Sequence, residues 1–436
     1  MGERRTWACC LILSTLGVSL VHNARAQEMS SLERHGVQEM LQTVSKEVTK
    51  HYYDPKLHGL DWKATVEKAR ERIDRENDVT LALGDVAAAL ESLNDSHTFF
   101  VPPRHAYHID YGWQYQIIGS HCFVTRVRPG SDAEAKGVRP GDEVLAINGF
   151  QPLRDNLAEM HYILQVLRPQ PDLNVRLRDP AGRERQLKLV TKIEQAPNLP
   201  DSVLHHQSII AAQDVRHALR PHSVEVAGDL LIARIPDFLF TEFEINQLMG
   251  EARKHQYLII DLRDNPGGSA QPATHLVGDI FDHDLTIANR VRRDETKPVV
   301  AKSMGGHAFT GKLVVLVDSE SASAAEVFAR TVQIEKRGTV LGDRTSGRVM
   351  EAQYYTYPLG ASFYALSLTV ANLVMADGKS LEHTGVTPDE VVLPSGADLA
   401  VGRDPVLARA AEMLGAKLSA EDAGKLFPYE WPPETP

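Results

Sequence analysis

Apolar positions recur at helical spacing through residues 32–50, where Val37, Met40, Leu41, Val44 and Val48 share one face. Tyr52-Tyr53-Asp54-Pro55 breaks that pattern. A second helix is predicted from Asp61-Trp62 and a third over 81–93. The third runs into Asn94-Asp95-Ser96-His97-Thr98-Phe99-Phe100-Val101-Pro102-Pro103, a short connection stiffened by its double proline. The period then changes. Val124-Thr125-Arg126-Val127 and Val144-Leu145-Ala146-Ile147 read as strands on either side of a small helix, with glycines at the turns. Asn148-Gly149 is a strong hairpin turn. A helix over 156–168 and an alternating strand, Leu173-Asn174-Val175-Arg176-Leu177, follow.

Residues 197–222 have no clear period and read as a linker with room for one short helix. An α/β pattern begins after it. Strands are predicted at 224–226, 230–235 and 257–263, and helices at 242–254 and 272–281. Asp264-Asn265-Pro266-Gly267-Gly268 is a tight loop between strand and helix. The apolar run Leu313-Val314-Val315-Leu316-Val317 reads as a fully buried strand. It passes through Asp318-Ser319-Glu320 into Ser321-Ala322-Ser323-Ala324-Ala325-Glu326, which reads as a helix start. Strands around 352–357 and 363–370 are expected to close this part.

A serine at a strand-to-helix turn presents its hydroxyl at a sheet edge, beside helix amides that have no partner and favour negative charge. That suits a nucleophile, and it suits an ordinary N-cap equally. If the strands are parallel, the Asn-Pro-Gly-Gly loop shares that edge. Gly267 or Gly268, with Ala324, could then offer amides to an oxyanion. His97 beside Ser96 is by itself one more histidine on a turn.

Composition sets the compartment. The chain has 436 residues, 43% hydrophobic and 24% charged, enough for two or three domains with real cores. It opens with Arg4-Arg5, an apolar run from Trp7 to Val21, and Ala24-Arg25-Ala26, the pattern of a secretory signal cut before Gln27. Cys9 and Cys10 leave with it, so Cys122 alone remains and no internal disulfide is expected. No later segment is long enough to cross a membrane. The formal net charge is −11, and residues 1–26 carry three Arg and one Glu, so the processed chain is nearer −13. An acidic chain without basic clusters is a poor nucleic-acid binder. There is no His-Glu-x-x-His, cysteine cluster or phosphate-binding glycine loop, so neither metal nor cofactor is expected.

Two resemblances organise these pieces. The series Gly130-Ser131, Gly137-Val138, Gly141-Asp142-Glu143-Val144-Leu145 and Asn148-Gly149 closely resembles a PDZ domain. The resemblance implies strand addition by a peptide, with a carboxylate loop near Gly112-Trp113 that departs from the usual Gly-x-Gly. The segments Asp261-Leu262-Arg263-Asp264-Asn265-Pro266-Gly267-Gly268 and Ser321-Ala322-Ser323-Ala324-Ala325-Glu326 resemble the two signatures of the C-terminal processing, or tail-specific, proteases. Residues 340–347 and 381–389 match the motifs that follow. That family implies Ser323 as nucleophile, with oxyanion amides on Ala324 and the two glycines. Its general base is a lysine, and here that position is Arg348, which cannot deprotonate.

The related tricorn core implies another base. Its pattern places Asp-Ser-His at the end of the helical part, matched by Asp95-Ser96-His97, and a glutamate matched by Glu382. The implied site is Ser323 with His97, oriented by Ser96 and Glu382, and Arg348 left for a structural or substrate-carboxylate contact. An ordinary histidine base would make kcat/KM rise through a pKa of about 6 to 7.

The expected fold is α/β and multidomain. A signal peptide at 1–26 precedes a helical domain at 27–105 and a PDZ-like β-rich domain at 106–193. A linker at 194–222, a ClpP/crotonase-like protease core at 223–403 and a C-terminal helix and tail at 404–436 complete it. The expected function is an exported, periplasmic or secreted serine endopeptidase acting on polypeptides, with room for a homo-oligomer. The rivals are an inactive protein of the same fold holding a peptide or apolar ligand, and an esterase on the same site.

Overall fold

The computed structural model describes residues 28–103, 107–195, 221–226, 229–360 and 362–431. The expected signal peptide and nearly all of the expected linker lie outside the described residues.

Three helices, Ser31–His51, Trp62–Arg75 and Val79–Glu91, form the N-terminal part. Each starts on a capping side chain: Ser30, Asp61 and Asp78 accept from the amides of Glu33, Ala64 and Leu81. The face read from the sequence is the buried one, with Val44 and Val48 fully enclosed. The third helix leads through Asn94, at φ 55°, to the strand Phe99–Val101.

The PDZ-like part is a five-stranded antiparallel sheet in the order Trp113–Ile118, His121–Val127, Glu143–Ile147, Asp172–Arg178, Glu184–Val190. The helix Leu157–Tyr162, continued by a π-helical turn Ile163–Leu167, packs on it.

The protease-like core is a six-stranded sheet in the order Glu390–Val391, Thr339–Gly342, Lys312–Val317, Tyr257–Asp261, Leu230–Arg234, His222–Val226. All neighbours are parallel except the last pair. Helices Glu242–Ala252, Ala270–Ile280 and Ala324–Ile334 cover one face, and Pro405–Met413 with Ala420–Ala423 cover the other. Both faces are therefore dry, which is why these strands read as unbroken apolar runs.

One expectation changes. The hairpin Met350–Leu359 and Ser362–Met375 does not simply close the core. It joins Phe99–Val101, Leu285–Arg292 and Thr296–Ala301 in a separate five-stranded sheet. Tyr364, Leu366 and Leu368 pack against the N-terminal helices. Phe99, Phe100 and Val101 pair with Ser367, Leu366 and Ala365. This pairing carries the helical part, and His97 with it, to the core.

Candidate active site

Parallel pairing puts the ends of Tyr257–Asp261 and Lys312–Val317 on one edge, so their following loops run side by side. Ala322 donates its amide to the Asn265 carbonyl at 2.9 Å. A Cβ on Gly267 would lie 2.6 Å from the Cβ of Ser323. Only a glycine lets the two loops come this close.

Ser323 precedes the helix Ala324–Ile334 at φ 53° and ψ −115°, a conformation a non-glycine residue holds only when its surroundings fix it. Its amide donates to the Arg348 carbonyl and to Glu326, each at 3.0 Å. Glu326 is fully buried and also accepts from the amides of Gly347 and Arg348 and from the Thr345 hydroxyl. One carboxylate thus ties the serine turn to the loop 345–348. Ser321 is fully buried too, and its hydroxyl donates to the Leu262 carbonyl at 2.7 Å while accepting from the Asp318 amide at 2.9 Å. It is a structural clasp, whereas Ser323 is partly exposed and lines a cavity.

That cavity, of about 490 Å³, also takes in His97, Gly268 and Ala324. Apolar side chains, among them Ala273, Ile287, Val299, Val327, Met350 and Leu373, form much of its wall. His97 Nδ1 lies 2.7 Å from Ser96 Oγ, which donates to Glu382 Oε2 at 2.9 Å. Glu382 accepts in addition from the amides of Ser96 at 2.7 Å and Val349 at 2.8 Å. All its neighbours are donors, so the one Ser96 hydroxyl proton goes to Glu382. Ser96 Oγ must then accept from His97 Nδ1–H, which leaves the lone pair on Nε2. Ser323 and His97 share the cavity but no direct hydrogen bond joins them.

Asp95 supports this histidine more widely than the motif suggested. Its Oδ1 accepts from the amides of His97 and Thr98 and from the Thr369 hydroxyl, and its Oδ2 accepts from Tyr52 at 2.8 Å. Ser367 holds the His97 carbonyl at 2.7 Å. Tyr52, Thr369 and Ser367 carried no signal in the sequence, because their partners are up to 274 positions away.

Burial, and then the Arg348 guanidinium, push His97 down to about 4, against the opposing pull of Asp95. The ordinary range expected from sequence does not apply. Arg348 donates to the Ser96 carbonyl at 3.2 Å and makes no carboxylate ion pair among the described residues.

The oxyanion candidates divide. The Gly267 amide is committed to the Asn265 side-chain oxygen at 2.8 Å, so Gly267 is corrected to a spacing role. The amides of Gly268 and Ala324 donate to no described residue, and both residues line the cavity. The carboxylate loop expected at Gly112 and Trp113 is also corrected. The Gly112 amide is taken by Asp110 at 2.8 Å, and a Cβ there would meet Ser131 Cβ at 2.5 Å. Trp113 is buried in the PDZ-like core against Tyr115. Tyr115 in turn meets His161 with ring centroids 4.9 Å apart and the rings tilted by 60°, between the edge strand and the helix.

That module is bound to the core beside the serine turn. Gln116 donates to Asp318 at 2.7 Å, Ser319 to the Ile117 carbonyl, and Arg154 to Asp343 at 2.7 Å. Arg126 pairs with Asp264 at 3.1 Å and lies 4.0 Å from the Tyr429 ring.

Comparison with known proteins agrees with this architecture. Residues 229–392 match peptidase family S41, residues 110–176 the PDZ domain, and residues 35–80 the tricorn protease C1 domain. A chloroplastic carboxyl-terminal-processing peptidase 3 of Arabidopsis thaliana is 24% identical over 383 residues, covering 84% of this chain and 70% of its own length. A carboxyl-terminal-processing protease of Synechocystis is 27% identical over 269 residues, covering 60% of this chain and 57% of its own. The crystal structure of mature CPAF superposes with a TM-score of 0.65 at 16% identity, over 85% of this chain and 95% of that one. The photosystem II D1 C-terminal processing protease gives 0.51 at 20% identity, over 82% and 93%. Its ordered S41, PDZ and tricorn-type segments and these relatives support a serine peptidase of the S41 C-terminal processing type with a PDZ domain.

Proposed function

We propose that the protein is an exported serine endopeptidase that works through Ser323 and His97. The observation that carries this reading is the line His97 Nδ1, Ser96 Oγ, Glu382, ending on the cavity that holds Ser323. His97 Nε2 removes the proton of Ser323 Oγ as that oxygen attacks the scissile carbonyl. The oxyanion receives the amides of Gly268 and Ala324. Ser96 and Glu382 stabilise the imidazolium, which then gives its proton to the leaving amine. Water repeats the sequence on the acyl-enzyme. The gap between Ser323 and His97 closes when substrate is bound, as catalytic hydrogen bonds commonly do.

The apolar wall of the cavity suits an apolar side chain next to the scissile bond. In the PDZ-like module the tilted Tyr115–His161 ring pair stands between the edge strand and the helix, where a peptide would add. This favours control of access to the serine over standing capture of a terminal carboxylate. Export rests on the leader-like pattern of residues 1–26. Among the described residues, no helix is long and apolar enough to cross a membrane.

A fluorophosphonate probe tests the core of the proposal, because only an activated serine reacts. Labelling of the wild type and none of Ser323→Ala is expected, together with new cut termini in a proteome exposed to the wild type alone. An unlabelled wild type would return the protein to the inactive, ligand-holding alternative. Small-ester turnover without any peptide cleavage would leave the esterase.

A further inference from the structure

Beside the edge strand of the core sheet, near the starts of the parallel strands whose far ends carry the Ser323 loop, three side chains from separate elements converge. Glu225 lies on the edge strand His222–Val226, Glu251 in the last turn of the helix Glu242–Ala252, and His255 just beyond that helix. One ligand atom from each lies within 4.8 Å of the others. Among the described residues this is the one such trio.

His255 is the informative member. Its side chain is only 10% exposed, yet neither ring nitrogen makes a hydrogen bond. Nε2 stands 3.5 Å from Glu225 Oε1 and 3.9 Å from Glu251 Oε1. Neither contact is a hydrogen bond; the 3.5 Å separation suits atoms that share an ion, and Glu251 Oε1 at 3.9 Å reaches the same spacing with a shift of its side chain by a few tenths of an ångström. Zinc bonds of about 2.0–2.2 Å at tetrahedral angles put neighbouring ligand atoms roughly 3.3–3.6 Å apart. On the other side of the ring, Asp229 Oδ1 lies 3.4 Å from Nδ1. A carboxylate behind the second nitrogen is the usual support of a metal-bound imidazole. Lys254 engages only Oε2 of Glu251, at 2.6 Å, so Oε1 remains available.

We propose that Glu225, Glu251 and His255 bind a divalent first-row transition ion, zinc being the probe of choice, with Asp229 orienting His255. One imidazole and two carboxylates favour such an ion over calcium or magnesium. The ion would pin the edge strand, where the chain enters the core, to the end of the neighbouring helix. Sequence motifs gave no sign of it, because two ligands come from one helix end and the third from a strand 26 positions earlier.

The full chain, stripped with a chelator and dialysed, should take up one zinc per molecule by calorimetry and elemental analysis, with a rise in Tm. Cobalt in its place should give the intense visible bands of a four-coordinate site. His255→Ala should abolish stoichiometric uptake, and Glu225→Gln, an exposed change that spares the fold, should weaken it. Asp229→Asn should weaken it by about 10–100-fold. Ser323→Ala should bind as the wild type does, which separates this site from the catalytic reading. Absence of stoichiometric zinc, or uptake unchanged in both His255→Ala and Glu225→Gln, would overturn the proposal.

Discussion

Glu382 accepts two hydrogen bonds from Ser96, one from its amide at 2.7 Å and one from its hydroxyl at 2.9 Å, across 286 positions of sequence. The double contact fixes both the backbone and the side chain of the residue that orients His97. His97→Ala should therefore lower kcat/KM by several orders of magnitude, as loss of a triad base does. Ser96→Ala and Glu382→Gln should each be milder, because the imidazole stays in place and only its partner changes. Full activity in His97→Ala at neutral pH would refute the assignment.

Ser321 and Ser323 should separate cleanly. Ser321→Ala leaves the buried Leu262 carbonyl and Asp318 amide without a partner, which costs about 1–3 kcal/mol of stability. A lower Tm with retained probe labelling is expected. Ser323→Ala should keep its Tm and lose all labelling. The reverse pattern would mean that the wrong serine has been named.

Gly268→Ala tests the oxyanion pair. An added Cβ would sit 2.7 Å from the Phe238 carbonyl carbon and oxygen, so the loop must move its amide. A fall in kcat of about 10²–10³ with little change in KM is expected, the usual effect of losing one such donor. Wild-type turnover would exclude Gly268 from that role.

The sequence revealed the elements whose periodicity is set by burial on one or two faces. The three N-terminal helices and the apolar strand ending at Val317 are of this kind. It did not reveal Leu285–Arg292 and Thr296–Ala301, which alternate weakly, or which sheet the hairpin 350–375 would join. The candidate reacting residues Ser323 and His97 were legible only through family motifs. The commitment of the Gly267 amide to Asn265 and the burial of Trp113 depend on tertiary contacts that no local pattern encodes.

The pH response follows from the pocket around Arg348. His97 acts as a base only when neutral, and burial followed by Arg348 lowers it to about 4. The acid limb of kcat/KM should lie near pH 4, well below the ordinary histidine range. Arg348→Gln removes a positive charge and should move the limb upward, whereas Arg348→Lys keeps the charge and should leave it nearly in place. Stability adds an independent reading. His97 and His161 are both held near 4, by burial first and Arg348 second. Between pH 6.5 and 4 the unfolded chain binds protons that these two folded residues refuse, so stability falls as pH falls, by at most about 1.4 kcal/mol per unit for each. Glu320 works in the opposite sense. Burial, then Asp318 and Asp264, push it up to about 7 against Arg348 and Arg154, so the folded chain gains a proton first as pH drops from 7. It offsets roughly one histidine over the shared window. Denaturant unfolding of Glu320→Gln, which removes the offset, should therefore show a steeper loss of stability between pH 6.5 and 4.5 than the wild type. Equal slopes would show that Glu320 is not raised in the folded chain, and an acid limb between pH 6 and 7 would show that burial and Arg348 do not lower His97.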